Sequence, residues 1–338
     1  MRSAVLASPR TLRVEHLDDP RPTGTEVLLE VSACGICGTD REIFHGRYPV
    51  RHPLVMGHEY AGTVVATGEA VTTLQVGDRV AVDPNIVDDT CSFCRRGLRH
   101  LCSGLSPLGV SLPGGFSTRS LVPERYAFKL PPGMDLVEAS LVEPLACCIH
   151  GIDQAGVELN DVVVVLGAGP IGCLLIRLAR IRGARAVIAV EPNEARREHA
   201  IRHGASVACG TPDESRALHR ELGADIGADV VIEASGTEMG AEAAISLARR
   251  GGTILLFGVY PSDRLIPLSP FRVNEDELRI VGSFNNPDTH PDAIRLLGDG
   301  RIDAAGIITD ELGLDDLARA MDLENFPRAG KIVVRPAD

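Results

Sequence analysis

Four valines and a leucine run directly into G-A-G-P-I-G across Val162–Gly172, and a helical pattern, CLLIRLARIRG, follows at once. A continuously apolar, β-branched run closed by glycine reads as a strand buried on both faces. Such a strand needs helices packed above and below it, so this segment demands a doubly wound α/β sheet. The three glycines have separate duties. Gly167 permits the tight turn, Gly169 lets backbone approach a pyrophosphate, and Gly172 lets the helix lie close to the strand. Pro170 and Ile171 open a helix whose N-terminus is then aimed at phosphate. In this strand–turn–helix setting the motif is a dinucleotide fingerprint rather than a packing turn.

The rhythm continues downstream through AVIAVE, PNEARREHAIRHG, ADVVIEASG, EMGAEAAISLARRGG and TILLFGV. The second strand leads to Glu191, nineteen residues after Gly172. A carboxylate there meets the ribose hydroxyls and repels a 2′-phosphate, so NAD is expected over NADP. Arg196 and Arg197 on the next helix pull the other way, since either can reach a phosphate.

The rest of the chain is different. From Val27 to about Lys129 short strand patterns alternate with dense glycine and proline, and after Phe284 mixed segments lead to a last strand, KIVVRP. The expected layout is a β-rich domain over 1–148, an inserted α/β domain over 149–285, and a return to the first domain over 286–338. A net charge of −12 disfavours a phosphate-binding surface, so nucleic acid is not expected as a partner. The apolar runs are short or broken by glycine, and Met1–His16 lacks a secretory h-region. No membrane association is expected, and a cytoplasmic location is. There the nine cysteines stay reduced, so clustered ones suggest metal before disulfide.

Two constellations fit metal. In CSFCRRGLRHLC, Cys91, Cys94 and Cys102 place three thiols within twelve residues, the pattern of a structural zinc lobe, and Asp88 stands at the same interval before Cys91. The alternative is a loop of free thiols with Asp88 merely solvated. The second set is dispersed: Cys37 in ACGICGTD, His58 and Glu59 in GHEYAG, and Glu143 in LVEPLACCIHG. One thiolate, one imidazole and two carboxylates suit a catalytic zinc with an open position. Singly, each has an ordinary structural explanation. Cys34 and Cys37 also form a C-x-x-C, but no thioredoxin-like context supports a redox pair.

Taken together and in order, CGICGTD, GHEYAGTVV, GDRVAVDP, CSFCRRGLRHLC, VEPLACCIHG, VVVLGAGPIG and VGSFNNP resemble the zinc-dependent medium-chain alcohol dehydrogenase family over nearly the whole chain. VEPLACCIHG and GSFNNPDTHPDAI are closer to its polyol branch, the sorbitol-, cyclitol- and aminocyclitol-type dehydrogenases. The resemblance implies a β-rich GroES-like catalytic domain with an inserted Rossmann domain, and the cofactors Zn2+ and NAD. It implies Cys37 and His58 as ligands of the catalytic zinc, with Glu59 and Glu143 completing the shell directly or through water. Asp40 matches a carboxylate that orients the histidine, and Thr39 a hydroxyl that takes the substrate proton. Many relatives carry a histidine three residues beyond that hydroxyl. This chain has Glu42, so the proton is expected to leave through Glu42, His45, or ribose and water. Sorbitol-type relatives often carry Arg-Tyr where this chain has Asn285 and Asn286, which leaves a polar pocket but argues against sorbitol itself.

The expected reaction is reversible oxidation of a secondary alcohol to a ketone, with hydride passing to the nicotinamide. By analogy Val259 and Phe284 line the nicotinamide side, and Tyr48, Phe116 and Asn285 the substrate pocket. A homo-oligomer, dimer or homotetramer, is expected through the apolar strands GGTILLFGV and ELRIVGSF. Competing readings are a threonine or glucose dehydrogenase of the same family, a zinc-free enone reductase on the same fold, and a non-enzymatic NAD- and zinc-binding protein.

Overall fold

The computed structural model describes residues 1–222, 226–261, 263–326 and 330–337. The chain divides into two compact units, Met1–Ala146 with Asn286–Asp338, and Cys147–Asn285. The first passage between them falls inside helix Val142–Ala155, a boundary no break in hydrophobic pattern could mark.

In the unit Cys147–Asn285 six strands form one sheet, in the spatial order Val207–Cys209, Ala186–Val190, Val162–Leu166, Ala228–Glu233, Ala248–Leu256, Arg279–Gly282. All five pairings are parallel. Every residue of Val162–Leu166 and Ala186–Val190 is buried, which is why these segments are apolar without alternation. Helices Pro170–Arg182, Glu194–Arg202, Pro212–Glu221 and Glu238–Leu247 intervene. Several start where the sequence supplies a cap: the side chains of Asn193, Thr211 and Thr237 accept from the backbone N–H of Arg196, Glu214 and Gly240. Strand order reverses between Val162–Leu166 and Ala228–Glu233, the switch point at whose carboxyl ends such sheets bind ligands.

The other unit is built on a seven-stranded sheet. Its central strand, Glu26–Gly35, pairs with Glu59–Thr67 on one side and the final strand Lys331–Arg335 on the other, both antiparallel. Arg119–Pro123 also pairs with it. A separate three-stranded sheet centres on Arg2–Ser8. The core includes Leu29, Val31, Met56, Tyr60, Val80, Phe116 and Val334. What matters for function is register: Gly35 stands opposite Glu59, and Val333 opposite Gly35. The residues just past these pairs, Cys37, His58 and Lys331, are therefore delivered to one place from three distant parts of the sequence.

Candidate zinc and nucleotide sites

Cys37 ends the run out of the central strand and forms the N-cap of helix Gly38–Phe44. Its thiol, a ring nitrogen of His58 and a carboxylate oxygen of Glu59 all lie within 4.8 Å of one another. Asp40, with no exposed surface, ties this arrangement together. One of its oxygens accepts from the backbone N–H of Cys37 at 2.9 Å, closing the first turn of the helix. The other accepts from the N–H of Gly57 at 3.2 Å and stands 3.5 Å from Nδ1 of His58. That last separation is long for a hydrogen bond but short for charge attraction.

Gly57 precedes His58 with φ +92°, and a Cβ there would meet Sγ of Cys34 at 2.7 Å and the Phe116 ring at 2.9 Å. Cys34 and Phe116 are thus core residues that shape the His58 turn. Phe116, expected at the substrate pocket, is completely buried.

The residue that the sequence reading missed is Lys331. Its ammonium donates to both oxygens of Glu59, at 2.7 and 2.6 Å, and to the carbonyl of Ile36 at 3.2 Å, entirely inside the protein. Burial alone would lower the Lys331 pKa, but the charges of Glu59, Cys37 and Glu143 outweigh it and raise the value. Gly35 makes room for the pair: a Cβ there would sit 2.3 Å from Oε2 of Glu59. Gly35→Ala is accordingly expected to destabilise the fold by about 1–3 kcal/mol, the usual cost of overpacking, readable in thermal unfolding.

Glu143, buried on the first turn of helix Val142–Ala155, does not join the three-residue group but accepts from Nδ2 of Asn286 at 3.0 Å. Its charge is nonetheless felt by Lys331.

The donor set fits a zinc ion. Bonds of about 2.0–2.3 Å can span atoms this close, and thiolate, imidazole and carboxylate are zinc's usual partners. The field agrees. Burial would lower the His58 pKa, yet Asp40 and Cys37 hold it well above the usual imidazole range, so the pocket draws positive charge. A divalent cation answers that demand.

The second group, Asp88, Cys91, Cys94 and Cys102, also converges within 4.8 Å. Cys91 Sγ lies 3.6 Å from that of Cys94 and 3.9 Å from that of Cys102, and Cys94 Sγ lies 3.7 Å from Oδ1 of Asp88. Backbone N–H groups of Cys91 and Thr90 donate to Oδ1 of Asp88 and bring its pKa to about 2. Backbone donors from Cys94 and Ser103 bring the Cys91 thiol to about 6, while desolvation and then the neighbouring sulfurs push Cys94 up to about 12. Crowded sulfurs that resist ionising together are what a bound cation relieves.

The candidate proton route is less connected. Thr39 is half-buried on the same helix. Glu42 is committed to Arg47 through two hydrogen bonds of 2.7 and 2.6 Å, and Nε2 of His45 to Asp322 at 3.2 Å. Tyr48 is exposed.

In the nucleotide unit the glycines divide their work as the motif requires. Gly167 has φ +96°, and a Cβ on Gly172 would come within 2.0 Å of the Gly167 carbonyl, so the helix approaches only because both are glycine. Around Gly169 nothing lies within 4 Å of an added Cβ, which leaves room for phosphate. Pro170 and Ile171 begin helix Pro170–Arg182. Glu191, buried beyond the second strand, accepts from the N–H of Ala168 at 2.9 Å and of Asn193 at 3.0 Å, which locks it beside the glycine turn. Arg196 is half-buried, and Arg197 donates to the carbonyls of Glu191 and Pro192. Val259, Phe284 and the half-buried Asn285 belong to this unit, the first two exposed.

Comparison with known proteins places this geometry in a family. The family model of the alcohol dehydrogenase GroES-like domain matches residues 23–132, and that of the zinc-binding dehydrogenases matches residues 170–299. D-arabinitol dehydrogenase 1 of Uromyces fabae is 34% identical over 99% of this chain and 97% of its own. D-altritol 5-dehydrogenase of Agrobacterium fabrum is 38% identical over 86% of each. A solved zinc-binding dehydrogenase from Sinorhizobium meliloti 1021, bound to NADP, superposes with a TM-score of 0.94 at 35% identity over 99% of both chains. The chain belongs to the zinc-dependent medium-chain dehydrogenases and is an oxidoreductase. Within that family it falls in the polyol dehydrogenase branch.

Proposed function

We propose that this protein is a zinc- and NAD-dependent dehydrogenase that interconverts a secondary alcohol of a polyol, cyclitol or aminocyclitol with the corresponding ketone. The observation that carries the reading is the convergence of Cys37, His58 and Glu59 on one point, organised by Asp40, in a chain that also holds a dinucleotide turn. Cys37 and His58 would hold the catalytic zinc, with Glu59 and Glu143 as carboxylates of the same pocket. Asp88, Cys91, Cys94 and Cys102 would hold the structural one. Bound at the first site, zinc supplies the Lewis acidity that brings an alcohol's pKa toward neutrality.

The protein's own groups do the rest. Asp40 holds the Cys37 turn and the His58 turn at a fixed separation, so the pocket is preorganised rather than assembled on binding. Thr39 would be the hydroxyl that takes the substrate proton, as the family resemblance implies. Because Glu42 and His45 are engaged by Arg47 and Asp322, solvent or the cofactor's ribose is the favoured exit beyond it. Gly167, Gly169 and Gly172 would cradle the pyrophosphate of a dinucleotide, whose nicotinamide would supply the hydride acceptor. Tyr48 and Asn285 remain candidates for contact with substrate, as do Val259 and Phe284 for the nicotinamide.

Glu191 sets the cofactor. Its carboxylate is held beside the turn where the adenosine ribose belongs, so a 2′-phosphate would meet a fixed negative charge. Glu191→Gln is expected to lower kcat/KM for NAD by roughly tenfold to a hundredfold, the scale of one charge-assisted hydrogen bond, and to raise it for NADP. Steady-state kinetics with both cofactors checks this. Unchanged preference would remove Glu191 as the determinant and leave Arg196 to be tested.

We also infer a homo-oligomer, a dimer or tetramer, in the cytoplasm. Arg279–Gly282 ends its sheet, and Leu265 and Phe271 of the same unit are 88% and 74% exposed, apolar surface that a second copy could cover. Among the described residues no helix is long and apolar enough to cross a membrane. The functional reading is tested by a substrate panel, taken up at the end of the Discussion. Turnover of threonine or an aldose in place of polyols would favour the other members of the family.

A further inference from the structure

We propose that Asn85 and Asn286 are positioning residues for Glu143, forming with the half-buried Asp83 a hydrogen-bonded chain that fixes how this carboxylate is presented to the catalytic cation. The proposal rests on the zinc reading above. Asp83 Oδ1 accepts from both the backbone N–H and the side-chain Nδ2 of Asn85, each at 3.0 Å. Asn85 Nδ2 donates onward to Oδ1 of Asn286 at 2.8 Å, and Asn286 Nδ2 donates to Oε1 of Glu143 at 3.0 Å. Asn85, Asn286 and Glu143 are each at most 9% exposed. The segment carrying Asn286 is fastened to the same helix a second time, because the Thr289 hydroxyl donates to the carbonyl of Ala146 at 2.8 Å.

The direction of the chain follows from its chemistry. An ionised carboxylate only accepts, so Asp83 obliges Asn85 to turn its NH2 inward. That NH2 has a second hydrogen, which goes to the oxygen of Asn286. Asn286 must then turn its own NH2 to Glu143. A flipped Asn286 would set NH2 against NH2 at one end and oxygen against carboxylate at the other, in a buried place where neither mismatch is solvated. Neither amide ionises, so the chain passes no proton. It passes orientation: an anion at Asp83 dictates which hydrogen bond Glu143 receives two residues away. On the zinc reading above, Glu143 is one of the carboxylates of that pocket, so the hydrogen bond it receives from Asn286 fixes which oxygen is left for the cation.

The test uses the holoenzyme with cobalt(II) in place of the catalytic zinc, read by its visible ligand-field and thiolate charge-transfer bands, together with the rate of zinc loss to a chelator. Variants are Asn286→Leu, Asn85→Ala, the double variant, and Thr289→Val, which loosens the same segment without touching the amide chain. Asn286→Leu is expected to shift the ligand-field band and to speed zinc loss by roughly tenfold to a hundredfold, the usual effect of removing a partner from behind a metal ligand. Asn85→Ala should do the same to a smaller extent, and the double variant should be no worse than Asn286→Leu, because both act through one contact. Asn286→Ser replaces Asn286→Leu if the latter does not fold. Wild-type spectra and zinc loss in both single variants would overturn the proposal, as would a Thr289→Val protein that reproduces the Asn286→Leu spectrum. A cobalt spectrum that does not respond to Cys37→Ser would overturn the zinc reading and this proposal with it. A Cys37-dependent spectrum that Asn286→Leu leaves unchanged would overturn this proposal alone.

Discussion

Replacing Cys37 by serine is expected to lower kcat/KM by roughly a thousandfold or more while leaving the fold and NAD binding in place. The size follows from the chemistry the cation supplies, several kcal/mol of charge stabilisation at about 1.4 kcal/mol per tenfold in rate. Serine offers an oxygen that stays protonated near neutral pH, where the thiol becomes a thiolate on metal binding, so the strongest bond at the site is lost. The choice of serine is structural. Cys37 is the N-cap of helix Gly38–Phe44, a position at which serine is among the preferred residues. Asp40 can still accept from the backbone N–H at that position, so the local turn survives. Metal analysis should find one zinc fewer per chain, with the Asp88, Cys91, Cys94 and Cys102 lobe still occupied. Full activity in Cys37→Ser would remove the thiolate from the mechanism.

Lys331→Met is expected to cost about 3–5 kcal/mol of stability in the metal-free protein, because the Glu59 carboxylate loses its buried partner. Both ends of the pair are almost fully enclosed, at 4% exposure for Lys331 and 0% for Glu59, so water cannot take over. For a unit of this size the loss corresponds to a fall in Tm on the order of ten degrees, measurable by calorimetry. The zinc-loaded variant should lose less, since the divalent ion gives Glu59 a second positive neighbour. The Lys331 pKa is raised in the folded state, so its contribution is fully present at neutral pH and is lost as pH rises through that raised value. Pairing Lys331→Met with Glu59→Gln should recover part of the stability, because no unpaired charge then remains buried. Equal destabilisation with and without zinc would show that Glu59 and the cation do not share a field.

The fold was readable because its strongest signals are local. Val162–Gly172 carries strand, turn and helix in one stretch, and the Cys91–Cys102 loop holds its donors close together in sequence. The dispersed cluster was readable only in part. Cys37, His58 and Glu59 stand out as donor types, but what gathers them is the register of Gly35 opposite Glu59, which no spacing reveals. Lys331 stayed hidden because its partner lies 272 residues away, and a lysine opening a final strand looks like a solvated end. Its neighbour Gly35 held the available clue: a glycine closing a ten-residue strand can mark a place where something passes close by. Phe116 was named for the pocket by analogy alone; it is fully buried, and the missing side chain of Gly57 gives it room in the core. Glu42 and His45 entered as a departure from the family's relay, and the structure gives each a partner of its own.

The central claim is that the Cys37, His58 and Glu59 cluster oxidises a polyhydroxylated secondary alcohol with NAD. It is tested most directly by following NADH formation by the zinc-loaded protein against polyols, cyclitols, aminocyclitols, threonine, aldoses and simple alcohols, with Cys37→Ser run in parallel. The account predicts turnover confined to the hydroxylated secondary alcohols and abolished in Cys37→Ser. Silence across the panel despite demonstrated NAD and zinc binding, or turnover that survives in Cys37→Ser, would contradict it.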